Sequence, residues 1–366
     1  MDPIETVKVY TIIHTHSYKI FVGKDVFAQI GEVIDLEKYS QIIIITDAKV
    51  GRRYLDEAER QLRKYNKNIS SYTVDSGEKN KNLETVTNIY RALIKKKIDR
   101  KGLIVNLGGG VISDMGSFAA STFLRGIPFI NLPTTFEAMV DASVGGKTGV
   151  NFENYKNYIG SYAQPEGVFA EITTLETLPE RILLQGQAEA IKHGLIADAD
   201  FFEKITSRKI NEFPEDQLIE IIAHSIQLKA NLIHQDEKEE TVRRLLHFGH
   251  IIGHALESLS HKTENPLYHG EAVAIGMVAE AKISQLMGML PDDEFEIIER
   301  SIERVGLPIR YEELVSVEKV LEMIQTDKKS LSGNIKWNLL HRIGKADFNI
   351  EVGNTLVRQG IEYILQ

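Results

Sequence analysis

From Gln41 the chain sets four isoleucines in a row, Ile42 to Ile45, and then turns polar at Thr46 and Asp47. A short unbroken apolar run predicts a strand buried on both faces, the habit of parallel sheets. A helical period follows from about Val50 to Tyr65, then a short strand near Ser70–Val74. A helix around Leu83–Lys97, a strand from Leu103 to Leu107 and another in Pro128–Pro133 continue the alternation. Strands alternating with helices predict a parallel sheet covered on both faces. From about Thr177 the texture changes. Thr177-Leu178-Pro179-Glu180 reads as a helix start, with Thr177 as N-cap and an acid three residues on. Beyond it the period is helical, with few strand-like runs. The pattern predicts an N-terminal α/β nucleotide-binding domain over 1–175 and a mainly α-helical domain over 176–366. The boundary falls near Thr174–Pro179, and the natural place for a site is the interface of the two.

Composition narrows the chemistry. The 366 residues are 43% apolar and 26% charged, enough to build large cores. A net charge of −9 argues against nucleic acid, whose phosphates require excess basic surface, but it permits a basic pocket. The absence of cysteine excludes disulfides, thiolate zinc sites and cysteine nucleophiles, so any metal must be held by His, Asp or Glu. Met1-Asp2-Pro3-Ile4-Glu5 lacks the basic start and apolar core of a signal peptide. No apolar run approaches the roughly 20 residues of a membrane span. The expected compartment is the cytoplasm, with no membrane partner.

Two glycine clusters stand out. Gly108-Gly109-Gly110 follows a strand and opens a helix, which lets backbone N–H groups approach a diphosphate. The spacing is not GxGxxG, and a plain strand-to-helix turn is the competing reading. Gly145-Gly146-Lys147-Thr148 fails the P-loop spacing, which excludes ATP binding there, but a glycine loop presenting Lys147 to an anion fits.

Between Leu245 and Leu259 the chain is apolar, yet Arg243, His247, His250 and His254 recur at four, three and four residues. That spacing puts them on one face of a helix. Buried ionisable groups are costly unless paired or bound to metal, and four in one stripe point to a site. His250 and His254 have zincin spacing without the catalytic glutamate, which disfavours a metalloprotease but not a metal. Glu189 and Lys192 share a face three residues apart; a surface ion pair is the bland alternative. His269 opens another apolar helix. One Glu and two His form a common catalytic zinc set with a position open for substrate. Lys229 continues the apolar stripe of Leu218, Ile221, Ile222 and Ile226, either snorkelling to solvent or placing a cation in a closed pocket.

From Asp47 to about Gly344 these pieces resemble the 3-dehydroquinate synthase family of sugar-phosphate cyclases. The resemblance is carried by GGGVISD at 108–114, LRG at 124–126, PTT at 133–135, VDASVGGKTGVN at 140–151 and KNYIG at 156–160. It continues in GQAEAIKHGLI at 186–196, HFGHIIGHALE at 247–257, YHGEAVAIGM at 268–277 and DKK at 327–329. It implies a homodimer of two-domain subunits. For NAD it implies Asp47, Ser76, Gly77, Glu78, Lys81, Gly110, Val111, Ile112, Ser113, Asp114, Thr134, Thr135, Lys147, Lys156, Thr174, Leu175, Glu176 and Thr177. For zinc or cobalt it implies Glu189, His250 and His269. For an anionic sugar phosphate it implies Arg125, Asp141, Lys147, Asn157, Lys192, Lys229, Arg243, His254 and one of Lys328 and Lys329. The implied chemistry is transient oxidation by NAD, phosphate elimination, re-reduction and aldol closure. Other cyclases, of the 2-deoxy-scyllo-inosose or valiolone type, and a glycerol dehydrogenase-like enzyme share much of this plan. A catalytically dead paralogue would lack the ligand set. The chain departs from the family pattern at His247, where asparagine is usual. Ser113 and Tyr155 stand for glycine, and Ile251 for threonine.

Overall fold

The structure, a computed structural model, describes residues 5–10, 17–153, 155–261, 263–326 and 335–366. They form two compact units, Met1–Leu178 and Pro179–Gln366.

In the first unit β1 (Glu5–Tyr10), β2 (Ser17–Gly23), the one-turn helix α1 (Ile30–Val33), β3 (Ile42–Asp47) and α2 (Ala48–Leu62) come in turn. They are followed by β4 (Ile69–Val74), α3 (Leu83–Lys95), β5 (Leu103–Gly108), α4 (Gly110–Thr122) and β6 (Phe129–Pro133). The hairpin strands β7 (Lys147–Phe152) and β8 (Tyr155–Tyr162) precede β9 (Gly167–Glu171). The main sheet has the order β1-β2-β9-β6-β5-β3-β4, and all its pairs are parallel except β1 with β2. The isoleucine run is explained by its neighbours. Ile42 and Ile44 join the core on one face with Val105 and Leu107, while Ile43 and Ile45 join Ile104, Ile112 and Met115 on the other.

Strand order also locates a crevice. From β3 the chain steps outward to β4, then returns to place β5 on the other side of β3. Such a reversal opens a ligand crevice at the carboxyl ends of the two diverging strands. Asp47 ends β3, Gly108 ends β5, and Gly109 and Gly110 lead into α4.

The second unit is mainly helical, as the texture of the sequence predicts. It runs through α5 (Glu180–Ala197), α6 (Ala199–Thr206), α7 (Glu215–Gln235), α8 (His250–Ser260) and α9 (His269–Leu286). Then come α10 (Asp292–Arg304), α11 (Val317–Thr326), the hairpin β10 (Trp337–Arg342) with β11 (Lys345–Ile350), and α12 (Asn354–Ile364). Helix α9 lies against both α5 and α8. No described helix is long and apolar enough to cross a membrane.

Three local expectations are corrected. Thr177 does not cap a helix: Ile172–Thr177 is a 3-10 turn, and α5 starts after Pro179, whose fixed φ suits that position. Lys147 follows the bend of Gly145 and Gly146, at left-handed φ of 96° and 73°, but itself begins the strand β7, where Gly149 and Gly160 let the hairpin close. The stripe from Arg243 to His254 is not one helix. Val242–His247 is a 3-10 helix, Phe248 is extended, Gly249 takes a left-handed φ of 79°, and α8 begins at His250.

Candidate functional site

Helix α5 is enclosed, with every residue from Leu183 to Ile196 buried. An enclosed helix ordinarily carries apolar side chains, yet this one carries Glu189 and Lys192, each 1% exposed. They satisfy one another, since the Lys192 ammonium contacts Glu189 Oε2. The second carboxylate oxygen, Oε1, faces Nε2 of His250 at 3.5 Å and Nε2 of His269 at 3.3 Å. One ring nitrogen from each of His250, His254 and His269 lies within 4.8 Å of the others.

The far nitrogens of both rings are also held. His250 Nδ1 is 3.1 Å from the Phe248 carbonyl oxygen, and His269 Nδ1 is 3.4 Å from Glu257 Oε2. An imidazole that donates through Nδ1 turns its Nε2 lone pair forward, which is how metal-binding histidines are oriented. One carboxylate and two imidazoles in this arrangement fit a divalent zinc or cobalt ion with a position left for substrate.

Close helix packing brings the three donors together. A Cβ on Gly270 would stand 2.6 Å from Gln185 Cα, so the start of α9 touches the α5 backbone and delivers His269 beside Glu189. Arg181 of α5 clamps the same helix start, its guanidinium bidentate on Glu271 at 2.6 and 2.7 Å. On the other side, the left-handed Gly249 ends the 3-10 turn and lets α8 begin with His250.

The remaining predicted residues of this unit are cations and imidazoles in confined places. Lys229 on α7 is buried, and α7 packs on α5 and on the 242–247 turn. Arg243 is 1% exposed; its backbone N–H donates to Asp236 Oδ2 at 3.1 Å, and its guanidinium meets the Glu237 carbonyl. His254 is half-buried, its ring centroid 5.1 Å from that of His250 and 5.5 Å from that of His269. His247 contacts the Glu239 carboxylate and lies edge-on to His250, with centroids 5.9 Å apart. Lys328 and Lys329 lie outside the described residues.

In the first unit Asp47 caps α2, accepting from Lys49 N at 2.8 Å and Val50 N at 3.3 Å, and it also holds the Ser76 hydroxyl. Gly77, at φ 108°, starts the turn that carries Glu78 and Lys81. Lys81 is buried and donates to Asp114 Oδ2 at 2.5 Å and Asn157 Oδ1 at 2.6 Å. Burial pulls the Lys81 ammonium down, but Asp114 and Glu78 outweigh it and hold the group above the ordinary lysine value. Glu78 accepts from Asn151 at 2.8 Å, which ties the same turn to the β7–β8 hairpin bearing Lys147, Lys156 and Asn157. Gly110–Asp114 form the first turns of α4, whose N-cap, Gly109, supplies no side-chain hydrogen bond. Ser113 Oγ and Thr134 Oγ1 are buried with no hydrogen-bond partner among the described residues. An uncapped helix start beside two unanswered hydroxyls fits the diphosphate of a dinucleotide. Thr135 packs on Gly109, and Asp141 sits in the short π-helical turn Ala138–Ala142. Arg125 has a left-handed φ of 71° between Leu124 and Gly126. In the 172–177 turn Thr174 and Leu175 are buried, Glu176 is exposed, and Thr177 Oγ1 bonds the Tyr54 hydroxyl at 2.7 Å.

Sequence reasoning passed over Glu257, His193 and Asp236. Glu257 lies within the quoted HALE run, a carboxylate on an apolar helix, and that alone could have marked it. His193 is buried one turn past Glu189 and shares a hydrogen bond of 2.8 Å with Ser225. Asp236 accepts from three backbone N–H groups and carries no periodic signal at all.

Two family models match end to end, 3-dehydroquinate synthase N-terminal over residues 71–185 and 3-dehydroquinate synthase C-terminal over 186–330. A 3-dehydroquinate synthase of Ruminiclostridium cellulolyticum is 39% identical over 332 residues, 90% of this chain and 91% of the relative. Among solved structures, a 2-deoxy-scyllo-inosose synthase complexed with carbaglucose-6-phosphate, NAD+ and Co2+ superimposes with a TM-score of 0.90 at 27% identity, covering 99% of this chain and 100% of that one. The 2-epi-5-epi-valiolone synthase of Streptomyces hygroscopicus, with NAD+ and Zn2+ bound, gives 0.85 at 25% identity over 97% of this chain and 98% of its own.

Proposed function

The chain belongs to the 3-dehydroquinate synthase family, and from that premise we propose that it converts 3-deoxy-D-arabino-heptulosonate 7-phosphate to 3-dehydroquinate and phosphate, as an NAD- and metal-dependent lyase of the shikimate pathway. The reaction oxidises a ring alcohol, eliminates phosphate, reduces the ketone again, opens the ring and closes a carbocycle by an aldol step. No net redox change remains. The observation that carries this reading is the convergence of Glu189 Oε1 on Nε2 of His250 and of His269.

When bound, NAD accepts and returns a hydride, and zinc or cobalt supplies Lewis acidity to the substrate. Glu189, His250 and His269 hold the ion, and Phe248 O and Glu257 fix the direction of the two rings. Lys192 contacts one oxygen of Glu189 and holds the carboxylate turned. Lys229 and Arg243, both buried, answer the carboxylate and phosphate of an anionic sugar acid. His254, one turn past His250, takes a proton from the substrate hydroxyl at a ring nitrogen. In the first unit the N–H groups opening α4, with Ser113 and Thr134, hold the dinucleotide diphosphate, and Arg125, Asp141, Lys147 and Asn157 are further substrate contacts. We also infer a cytoplasmic homodimer, in keeping with the family habit.

The deciding experiment follows phosphate release from the heptulosonate phosphate with catalytic NAD, before and after chelation. Many turnovers per NAD are expected, with no NADH absorbance building up, loss of activity on chelation and recovery with Zn2+ or Co2+. Stoichiometric NADH in solution would make the protein a dehydrogenase instead. One observation favours a second reading, another sugar-phosphate cyclase: His247 replaces the usual asparagine and engages Glu239. Preferred turnover of a different sugar phosphate would establish it.

A further inference from the structure

Glu280 lies on α9 among buried apolar residues and is itself fully buried. A carboxylate in such a place is costly unless a donor answers it. Its Oε2 accepts from the backbone N–H of Gly249 at 2.9 Å. One turn earlier on the same face stands Gly276, where an added Cβ would lie 1.9 Å from the Gly249 carbonyl oxygen and 2.8 Å from Gly253 N. Gly276 and Glu280 therefore act on one turn together, the first admitting its backbone and the second bonding it. Gly249 is held in its left-handed conformation in consequence, with a Cβ there excluded by Met277 N and Val273 O, both at 2.9 Å. The residue before it offers the carbonyl that holds His250 Nδ1, and the residue after it is His250.

We propose that Glu280 is a positioning residue for the metal ligand His250, acting through the Gly249 turn rather than by touching the ion. The inference rests on the metal reading above. Fixing the Gly249 amide fixes both the Phe248 carbonyl and the first residue of α8, and so the direction of Nε2 toward Glu189. Outer groups of this kind govern affinity because a ligand free to rotate must be ordered on binding.

Two conservative variants separate hydrogen-bond acceptance from charge. Glu280→Gln retains an acceptor at the same reach and loses the charge. Glu280→Asp retains the charge and withdraws the acceptor by one methylene. The readouts are Co2+ affinity by chelator competition and the visible ligand-field bands of the Co2+ protein. Wild type should take up one Co2+ per chain, and Glu189→Ala should take up none; failure there overturns the metal reading and not this inference. Given that behaviour, Glu280→Gln should stay within about threefold of wild type, whereas Glu280→Asp should bind about tenfold more weakly, with shifted bands. Wild-type affinity and bands in Glu280→Asp, or an equal loss in Glu280→Gln, would overturn the role. Amide exchange in the metal-free wild type gives a check that needs no variant to fold: the Gly249 N–H should exchange slowly, and fast exchange would also overturn it.

Discussion

Glu189 is a buried carboxylate that meets an ammonium on one oxygen and two imidazoles on the other. The sequence marks it, because an acid and a lysine three residues apart inside a small, apolar segment need a reason to be there, and both prove buried rather than a surface ion pair. Its geometry was not legible. The sequence does not say which oxygen faces which ring, nor that Glu257 holds His269 from behind. His247 is the residue where chemistry and family pattern part, and its contact with Glu239, which has a left-handed φ of 62°, gives the imidazole a partner. Asparagine can donate and accept in the same place without charge. We therefore predict that His247→Asn keeps or raises dehydroquinate formation, measured by product analysis. An inactive variant would instead assign the imidazole a part in the chemistry.

The chain between α7 and α8 shows how an element can mislead. The four-three-four spacing from Arg243 to His254 is helical, and periodicity does not register a glycine at positive φ. The break at Gly249 is a backbone event, visible only once α9 is seen against it. The β7–β8 hairpin is hidden for a related reason: the bend at Gly145 and Gly146 is legible, but Gly149 and Gly160, which permit two backbones to approach, carry no strand period. Ahead of the break, Asp236 organises the segment that carries Arg243, accepting from Glu240 N at 2.9 Å, Thr241 N at 2.7 Å and Arg243 N at 3.1 Å. Burial pushes its carboxyl up, but these backbone donors outweigh burial and leave it below the usual aspartate value. A depressed folded pKa contributes stability above the unfolded value, and that contribution is lost as pH falls through the folded value. Asp236→Asn should thus cost about 1–3 kcal/mol at neutral pH, since one buried and two partly buried donors lose part of their acceptor. The gap to wild type in urea melts should narrow below about pH 3.9. A gap unchanged at low pH would show that the ionised carboxylate is not what holds the segment.

For the whole molecule, the change of texture near Thr177 conveyed the essential plan, an α/β unit followed by a helical one. Strand alternation predicted the parallel sheet, but the order of strands depends on crossovers between distant segments, so the crevice beside Asp47 and Gly108 was not readable. The antiparallel β1–β2 pair at the edge was equally hidden, as was the small β10–β11 hairpin in the helical unit. A net charge of −9 is no obstacle to an anionic substrate, because Lys192, Lys229 and Arg243 are cations buried away from the acidic surface. The whole account depends on one ion in one place, and anomalous diffraction from crystals grown with Zn2+ would locate it. The account predicts a single strong peak per chain, about 2.0–2.2 Å from Glu189 Oε1, His250 Nε2 and His269 Nε2. A zinc-loaded crystal whose peak lies elsewhere, with those three side chains turned apart, would contradict it.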